Sequence, residues 1–157
     1  MSFDLTFVPK SPDQSWDEAL DAAEDETDRA PDAQAWARIV DDARQILGDI
    51  GLHAGGDYFE LDHEPTGIQL SLYAGGAGIT VPYWYTGAEA QEIVRTLYRL
   101  GAVIEKHTNF SGYDSQAGMP IAEAAKRPEL ATASFDMVAA SFARRDISSP
   151  TAEFMID

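Results

Sequence analysis

Apolar and polar positions recur along most of this chain, and the period switches between two and about 3.6 residues. Near the start, Phe3, Leu5 and Phe7 alternate with Asp4 and Thr6, which predicts a strand over residues 3–8 with one apolar face. Pro9 and Pro12 end it. Ser15 followed by Glu18 has the spacing of a capping box and predicts a helix from Trp16 to about Ala23. Residues 24–28 carry too much charge to pack and read as a solvated connector, closed by Ala30 and Pro31. A second helix is predicted from about Asp32 to Leu47. Trp36, Val40, Ala43, Leu47 and Ile50 share one face of it, and Asp41, Asp42 and Arg44 lie off that face.

Three strand patterns follow, on Phe59 and Leu61, on Ile68, Leu70 and Leu72, and on Ile79, Val81 and Tyr83. Short, turn-rich links between them predict an antiparallel meander. Thr86 and Glu89 form a second capping-box pair ahead of the strongest helical pattern, Ala90, Ile93, Val94, Leu97, Leu100, Val103 and Ile104. An edge strand is expected over residues 110–113. The alanine-rich segment 120–143 reads as one or two helices broken near Pro128, and residues 148–157 as a loose tail. The predicted fold is α+β: one domain over residues 1–157, with an antiparallel sheet of about four to five strands and amphipathic helices packed on one face.

Composition narrows the chemistry. The 157 residues are 45% apolar, enough for a packed core, and include no cysteine, so disulfides, Cys-zinc sites, iron–sulfur clusters and thiol catalysis are excluded. Arginine outnumbers lysine, as is common in proteins of GC-rich bacteria. The start has no basic leader segment and the apolar runs are strand-sized, so a cytoplasmic protein without a membrane span is expected.

Charge changes the picture most. The net charge is −16. Residues 1–64 hold 17 acidic and four basic side chains, a balance of −13, against 10 and seven, or −3, in the remainder. Such a field repels nucleic acid and steers basic proteins. The plainer reading is that the charge serves solubility alone. The acidic band Asp17, Glu18, Asp21, Glu24, Asp25, Glu26, Asp28 and Asp32 is therefore a candidate docking surface, weighed against a solvated helix end.

Other signals are weaker. Gly55-Gly56 and Gly75-Gly76-Ala77-Gly78 lead into strands rather than helix N-termini, so they read as turns and not as phosphate loops. Asp62-His63-Glu64 offers three ligand types, yet neighbours on a strand point to opposite faces, and the segment reads as a charged hairpin turn. No nucleophile elbow is present, and no cofactor or metal is implied. In Pro82-Tyr83-Trp84-Tyr85-Thr86 three consecutive aromatics cannot all face inward. At least one is expected at the surface as an interface anchor, unless Trp84 covers the second sheet face beneath the C-terminal helices.

Met1-Ser2-Phe3-Asp4-Leu5, together with Tyr113-Asp114-Ser115-Gln116-Ala117-Gly118, resembles a group of small uncharacterised bacterial proteins. These begin Met-Ser-Phe/Tyr-Asp-Leu and carry Tyr-Asp-Pro-Gln-x-Gly after a long helix. This chain has Ser115 in place of the proline. Some of the group are thought to be immunity proteins for polymorphic toxins, so the resemblance implies a non-enzymatic inhibitor.

Three readings follow. The leading one is a non-enzymatic protein-binding domain, an immunity protein against a basic toxin. Its contacts would be the acidic residues Asp17, Asp21, Glu24, Asp25, Glu26 and Asp28, with Tyr83, Trp84, Tyr85, Tyr113 and Asp114. The second is a small-molecule-binding or enzymatic domain, with a pocket between sheet and C-terminal helices built from Tyr83, Tyr85, Tyr113 and Asp114. The third is a structural homodimer joined through the alanine-rich segment.

Overall fold

A computed structural model describes residues 2–24 and 30–144 of the chain. The elements in order are β1 (Ser2–Pro9), α1 (Trp16–Glu24), α2 (Ala33–Leu47), β2 (Gly51–Ala54), β3 (Tyr58–His63), β4 (Ile68–Tyr73), β5 (Ala77–Pro82), α3 (Gly87–His107), β6 (Phe110–Asp114), β7 (Met119–Pro120), α4 (Ile121–Ala124) and α5 (Pro128–Arg144). The fold is α+β, as the alternation of periods predicts. The sheet is larger than expected, with seven strands in the order β2-β3-β4-β5-β1-β6-β7, all antiparallel. The two strands without a sequence signal are β2 and β7, of four and two residues. The expected tail, residues 148–157, lies outside the described residues.

Register turns the alternation into two faces. Leu52, Leu61, Leu70, Ile79, Leu5 and Asp114 follow one another across the sheet as paired positions. Antiparallel partners share a face, so one row of mostly aliphatic side chains runs from β2 to β6. The next row, His53, Glu60, Ser71, Gly78, Thr6 and Tyr113, lies on the other face. Helices α2, α3 and α5 cover the apolar face. Phe3, Leu5, Phe7, Ile39, Val94, Leu97, Leu100 and Phe135 are all buried there. Trp36 of α2 stacks on Phe59 of β3, with ring centroids 5.6 Å apart.

The helices do not all lie on one face, as the pattern had suggested. Helix α1 packs on the second face. Its Trp16 contacts Tyr113 of β6 at 4.8 Å between ring centroids, and Ala19 is buried, as is Val8 of β1. Val8 is the extra apolar residue that breaks the β1 alternation, and it explains why α1 sits at that end. The Ser15–Glu18 capping box forms as expected: Glu18 N–H donates to Ser15 Oγ and Ser15 N–H to Glu18 Oε1. The Thr86–Glu89 box does not. Thr86 is the N-cap without a side-chain bond, and Gly87 N–H donates instead to Asp136 Oδ1 on α5 at 3.2 Å. The alanine-rich segment divides into α4 and α5 at Pro128, where a proline at the first helical position is favourable.

Two local devices tighten the core. Gly112 of β6 lies against Phe7 and Ile121; a Cβ there would come within 2.6 Å of the Phe7 ring. At the far ends of α2 and α3, Asp42 Oδ2 lies 2.7 Å from His107 Nε2 and 4.0 Å from Lys106 Nζ. The hydrogen bond to His107, aided by the Lys106 charge, holds the Asp42 carboxyl below the usual carboxylate range.

Gly112→Ala is expected to destabilise the protein by about 1–3 kcal/mol in urea titration, because the added methyl has no space. A carboxyl depressed on folding stabilises above its unfolded pKa and ceases to do so as pH falls through its folded pKa. Asp42→Asn should therefore lower the unfolding temperature at about pH 6, and the difference from wild type should shrink as pH falls below the ordinary carboxylate range of about 4 and through the lowered Asp42 pKa.

Candidate functional site

Among the described residues, the part of the sheet that no helix covers lies on the second face, between α1 and Trp84. Asp4, Thr6 and Gln69 are exposed on it, and Glu60, Asp62, Ser71 and Thr80 are half-buried. None of the seven strands contains Lys or Arg. All 11 basic side chains therefore lie outside the sheet. Among the described residues, Asp4, Asp17, Glu18, Asp21, Asp57 and Glu60 take part in no ion pair, and Asp62 pairs with His53 at 3.1 Å. The strip of polar side chains thus carries several carboxylates, and its strands hold no Lys or Arg.

At one end of the strip α1 presents Asp17, Glu18 and Asp21 to solvent. The ring of Trp16 beneath them holds Lys10 Nζ at 5.4 Å from its centroid. Between α1 and the sheet runs a cleft of about 590 Å³ lined by Val8, Leu20, Tyr73 and Gly76, with Asp57 at its rim. At the other end, strand alternation carries Thr80, Pro82 and Trp84 to the open side. Trp84 is 47% exposed. It lies over Gly67, the positive-φ residue of the β3–β4 turn; a Cβ there would be 3.2 Å from the Trp84 ring. Tyr73, 46% exposed, is the second aromatic of the strip.

The other aromatics of the triplet face the core side. Tyr83 packs edge-on to Phe135 at 4.9 Å, and Tyr85 contacts Phe135 at 6.4 Å and donates its hydroxyl to Thr66 O at 2.6 Å. Burial raises both phenols above their ordinary range. Tyr83 and Tyr85 are thus half-buried supports, and Trp84 is the exposed member.

Asp114 is not a surface residue. It is 0% exposed, the one buried charged side chain among the described residues. Its Oδ2 accepts from Tyr98 Oη at 2.7 Å, and its Oδ1 accepts from the N–H groups of Gln116 and Ala117 at 3.0 Å. Burial, and then the Asp114 bond, raise the Tyr98 phenol far above its usual range, so it stays a donor. The pocket imagined from Tyr83, Tyr85, Tyr113 and Asp114 is not formed. Tyr113 is on the opposite face from Tyr83 and Tyr85, against Trp16, and Asp114 is enclosed beneath α3.

Of the acidic band, Asp17 and Asp21 are exposed on α1. Asp32 is instead the N-cap of α2, accepting from Gln34 N and Ala35 N. Glu24 ends α1, and its side chain, with Asp25, Glu26 and Asp28, lies outside the described residues. Sequence reasoning missed Asp4, Glu60 and Asp62 as surface acids of the same strip; their alternation with Phe3, Leu5, Phe59 and Leu61 carried that signal. His63 bonds Thr66 Oγ1 at 2.7 Å. In α5, Ala131 and Phe135 face inward and Met137 is 70% exposed. No helix among the described residues is long and apolar enough to cross a membrane.

Residues 2–5 and 113–118 meet in space. Leu5 pairs with Asp114, and Asp4 N–H donates to Gln116 Oε1 at 3.3 Å. Asp114 closes the following turn, and Gly118 takes φ +70, where glycine is favoured. These residues build a turn that extends β1 pairing past the end of β6. Comparison of the chain with protein-family models, curated proteins and solved structures finds no match.

Asp114→Ala should cost at least about 2 kcal/mol by denaturant titration, since it leaves the buried Tyr98 hydroxyl without its acceptor. Asp4→Asn and Asp17→Asn, at exposed positions, should each change stability by less than about 0.5 kcal/mol.

Proposed function

We propose that this protein is a non-enzymatic protein-binding domain whose open, acidic sheet face docks a basic partner and masks its cationic surface, as an immunity protein masks a toxin. The observation that carries this reading is the strip between α1 and Trp84, which among the described residues is acidic, has no Lys or Arg in its strands, and is left uncovered by the helices. An uncompensated negative field of this kind raises encounter rates with a cationic protein by roughly 10–10³ fold. Trp84, exposed at the rim, supplies the large apolar contact on which interfaces commonly anchor. Asp4, Glu60 and Asp62 would then meet Lys or Arg of the partner over the floor, with Asp17 and Asp21 at the side. Against a nuclease-like toxin, carboxylates in that arrangement stand in for phosphate. The resemblance of Met1–Leu5 and Tyr113–Gly118 to small bacterial proteins supports the same class of function, and a cytoplasmic site of action fits it.

Co-expression with the product of the neighbouring gene tests this. A basic product should be toxic alone, harmless with this protein, and bound by it with an association rate that falls steeply with salt. Replacing Asp4, Glu60 and Asp62 together by lysine should abolish both rescue and binding while leaving thermal unfolding cooperative. Absence of a complex and of growth rescue contradicts the reading.

A further inference from the structure

The two edges of the sheet are finished differently. On the β6 side the outer groups are already engaged: β7 pairs with Tyr113 and Asp114, and Gly112 N–H donates to Glu105 Oε2 at 2.7 Å. On the β2 side the edge is open. Gly55 N–H donates to Tyr58 O, which makes Gly55 and Tyr58 a hydrogen-bonded pair. Bonded and non-bonded pairs alternate along an antiparallel ladder. With Ala54 opposite Phe59 and Leu52 opposite Leu61, the N–H and C=O groups of Ala54 and Leu52 point away from β3, off the sheet. β2 is the terminal strand of the sheet, so among the described residues no neighbouring strand lies beyond it to bond these groups. Leu52 is 46% exposed and Ala54 is exposed. Proline, lysine and a covering helix are the usual guards of such an edge; β2, Gly-Leu-His-Ala, has neither residue, and among the described residues no helix lies across it.

We infer that β2 receives an extended segment of the basic partner as an eighth strand, an inference that rests on the proposed function above. Strand addition draws affinity from main-chain bonds and specificity from alternate side chains. Here the two alternating sets differ in chemistry. Residues added beside Leu52 and Ala54 would continue the apolar row and favour aliphatic side chains. Residues added beside Gly51 and His53 would continue the open face next to Glu60 and Asp62 and favour Lys or Arg. The matching segment therefore alternates apolar and basic residues. A second copy of this chain fits less well, because it brings a further −16 charges and sets the same carboxylates near one another.

The probe is the peptide acetyl-Lys-Val-Lys-Val-Lys-Val-amide, with glutamate replacing lysine as control, titrated into the isotope-labelled protein and followed by NMR. The lysine peptide should shift the Leu52 and Ala54 amides and slow their exchange by about tenfold or more, and the glutamate peptide should not. Leu52→Pro and Ala54→Pro each delete one outward N–H that the fold does not use. At least one should unfold cooperatively near the wild-type temperature and bind the lysine peptide about tenfold more weakly. Peptide binding that moves only Asp4, Glu60 and Thr80, unaffected by either proline, overturns the edge inference and leaves the acidic docking face standing. No binding at millimolar peptide, or equal binding of the glutamate peptide, overturns both. A concentration-dependent dimer that Leu52→Pro abolishes assigns the edge to a second copy and overturns the basic-segment assignment.

Discussion

The two-residue period of the strands, locked by antiparallel register, is the constraint on which this molecule depends. Once Leu5 is opposite Ile79 and Asp114, and Leu70 is opposite Ile79 and Leu61, every strand must present its large apolar residues to the same side. A slip of one residue would turn Asp4 and Thr6 into the core and Phe3, Leu5 and Phe7 out of it. The core and the acidic face are therefore one decision read from two sides. Helices α2, α3 and α5 bury the apolar side, and the polar side keeps its carboxylates in water, where they cost little to hold.

Among the described residues, the one charged side chain that breaks this division is Asp114. It follows Leu5 on the apolar side, yet it is satisfied by Tyr98 from α3 and by two N–H groups of its own turn. A buried carboxylate is tolerated where its oxygens are bonded in this way. The arrangement joins the central helix, the end of β6 and the start of β7 at a single point. It also accounts for the neighbouring residues: Gln116 prolongs the pairing of β1, and Gly118 completes the turn. The contact of residues 2–5 with residues 113–118 is thus a fold device, and the surface acids Asp4, Glu60 and Asp62 carry the functional reading.

Much of the architecture is legible from pattern because burial imposes it. Strands β1, β3, β4 and β5 and helices α2 and α3 follow from periodicity, and helix α1 from its Ser15–Glu18 capping box. Strand β2 escapes because Gly-Leu-His-Ala completes barely one alternation, and β7 because its two residues include a proline. The face chosen by α1 was hidden for a different reason: a capping box fixes where the helix begins, not which side of the sheet receives Trp16 and Ala19. The candidate site was partly legible. Three consecutive aromatics require at least one at the surface, but that it is Trp84, and that no C-terminal helix among the described residues covers it, needs the tertiary structure. Asp114 was misplaced because sequence shows a charge but not the Tyr98 hydroxyl that receives it. Tyr113 and Tyr83 were grouped because strand parity across distant segments needs a register that only tertiary structure supplies. The Thr86–Glu89 spacing misled because Thr86 makes no side-chain cap bond, and the first turn of α3 is tied instead at Gly87 N–H by Asp136, 49 residues away.

The central claim is that the partner meets the second sheet face. Carbodiimide labelling of carboxylates with glycine ethyl ester, read by mass spectrometry on the free protein and on its complex, addresses this directly. Asp4, Asp17, Asp21, Glu60 and Asp62 should be protected in the complex, while Glu92, Glu123 and Glu129 on the helical side label as in the free protein. Protection confined to the helical side, with the strip between α1 and Trp84 still fully labelled, would contradict the account.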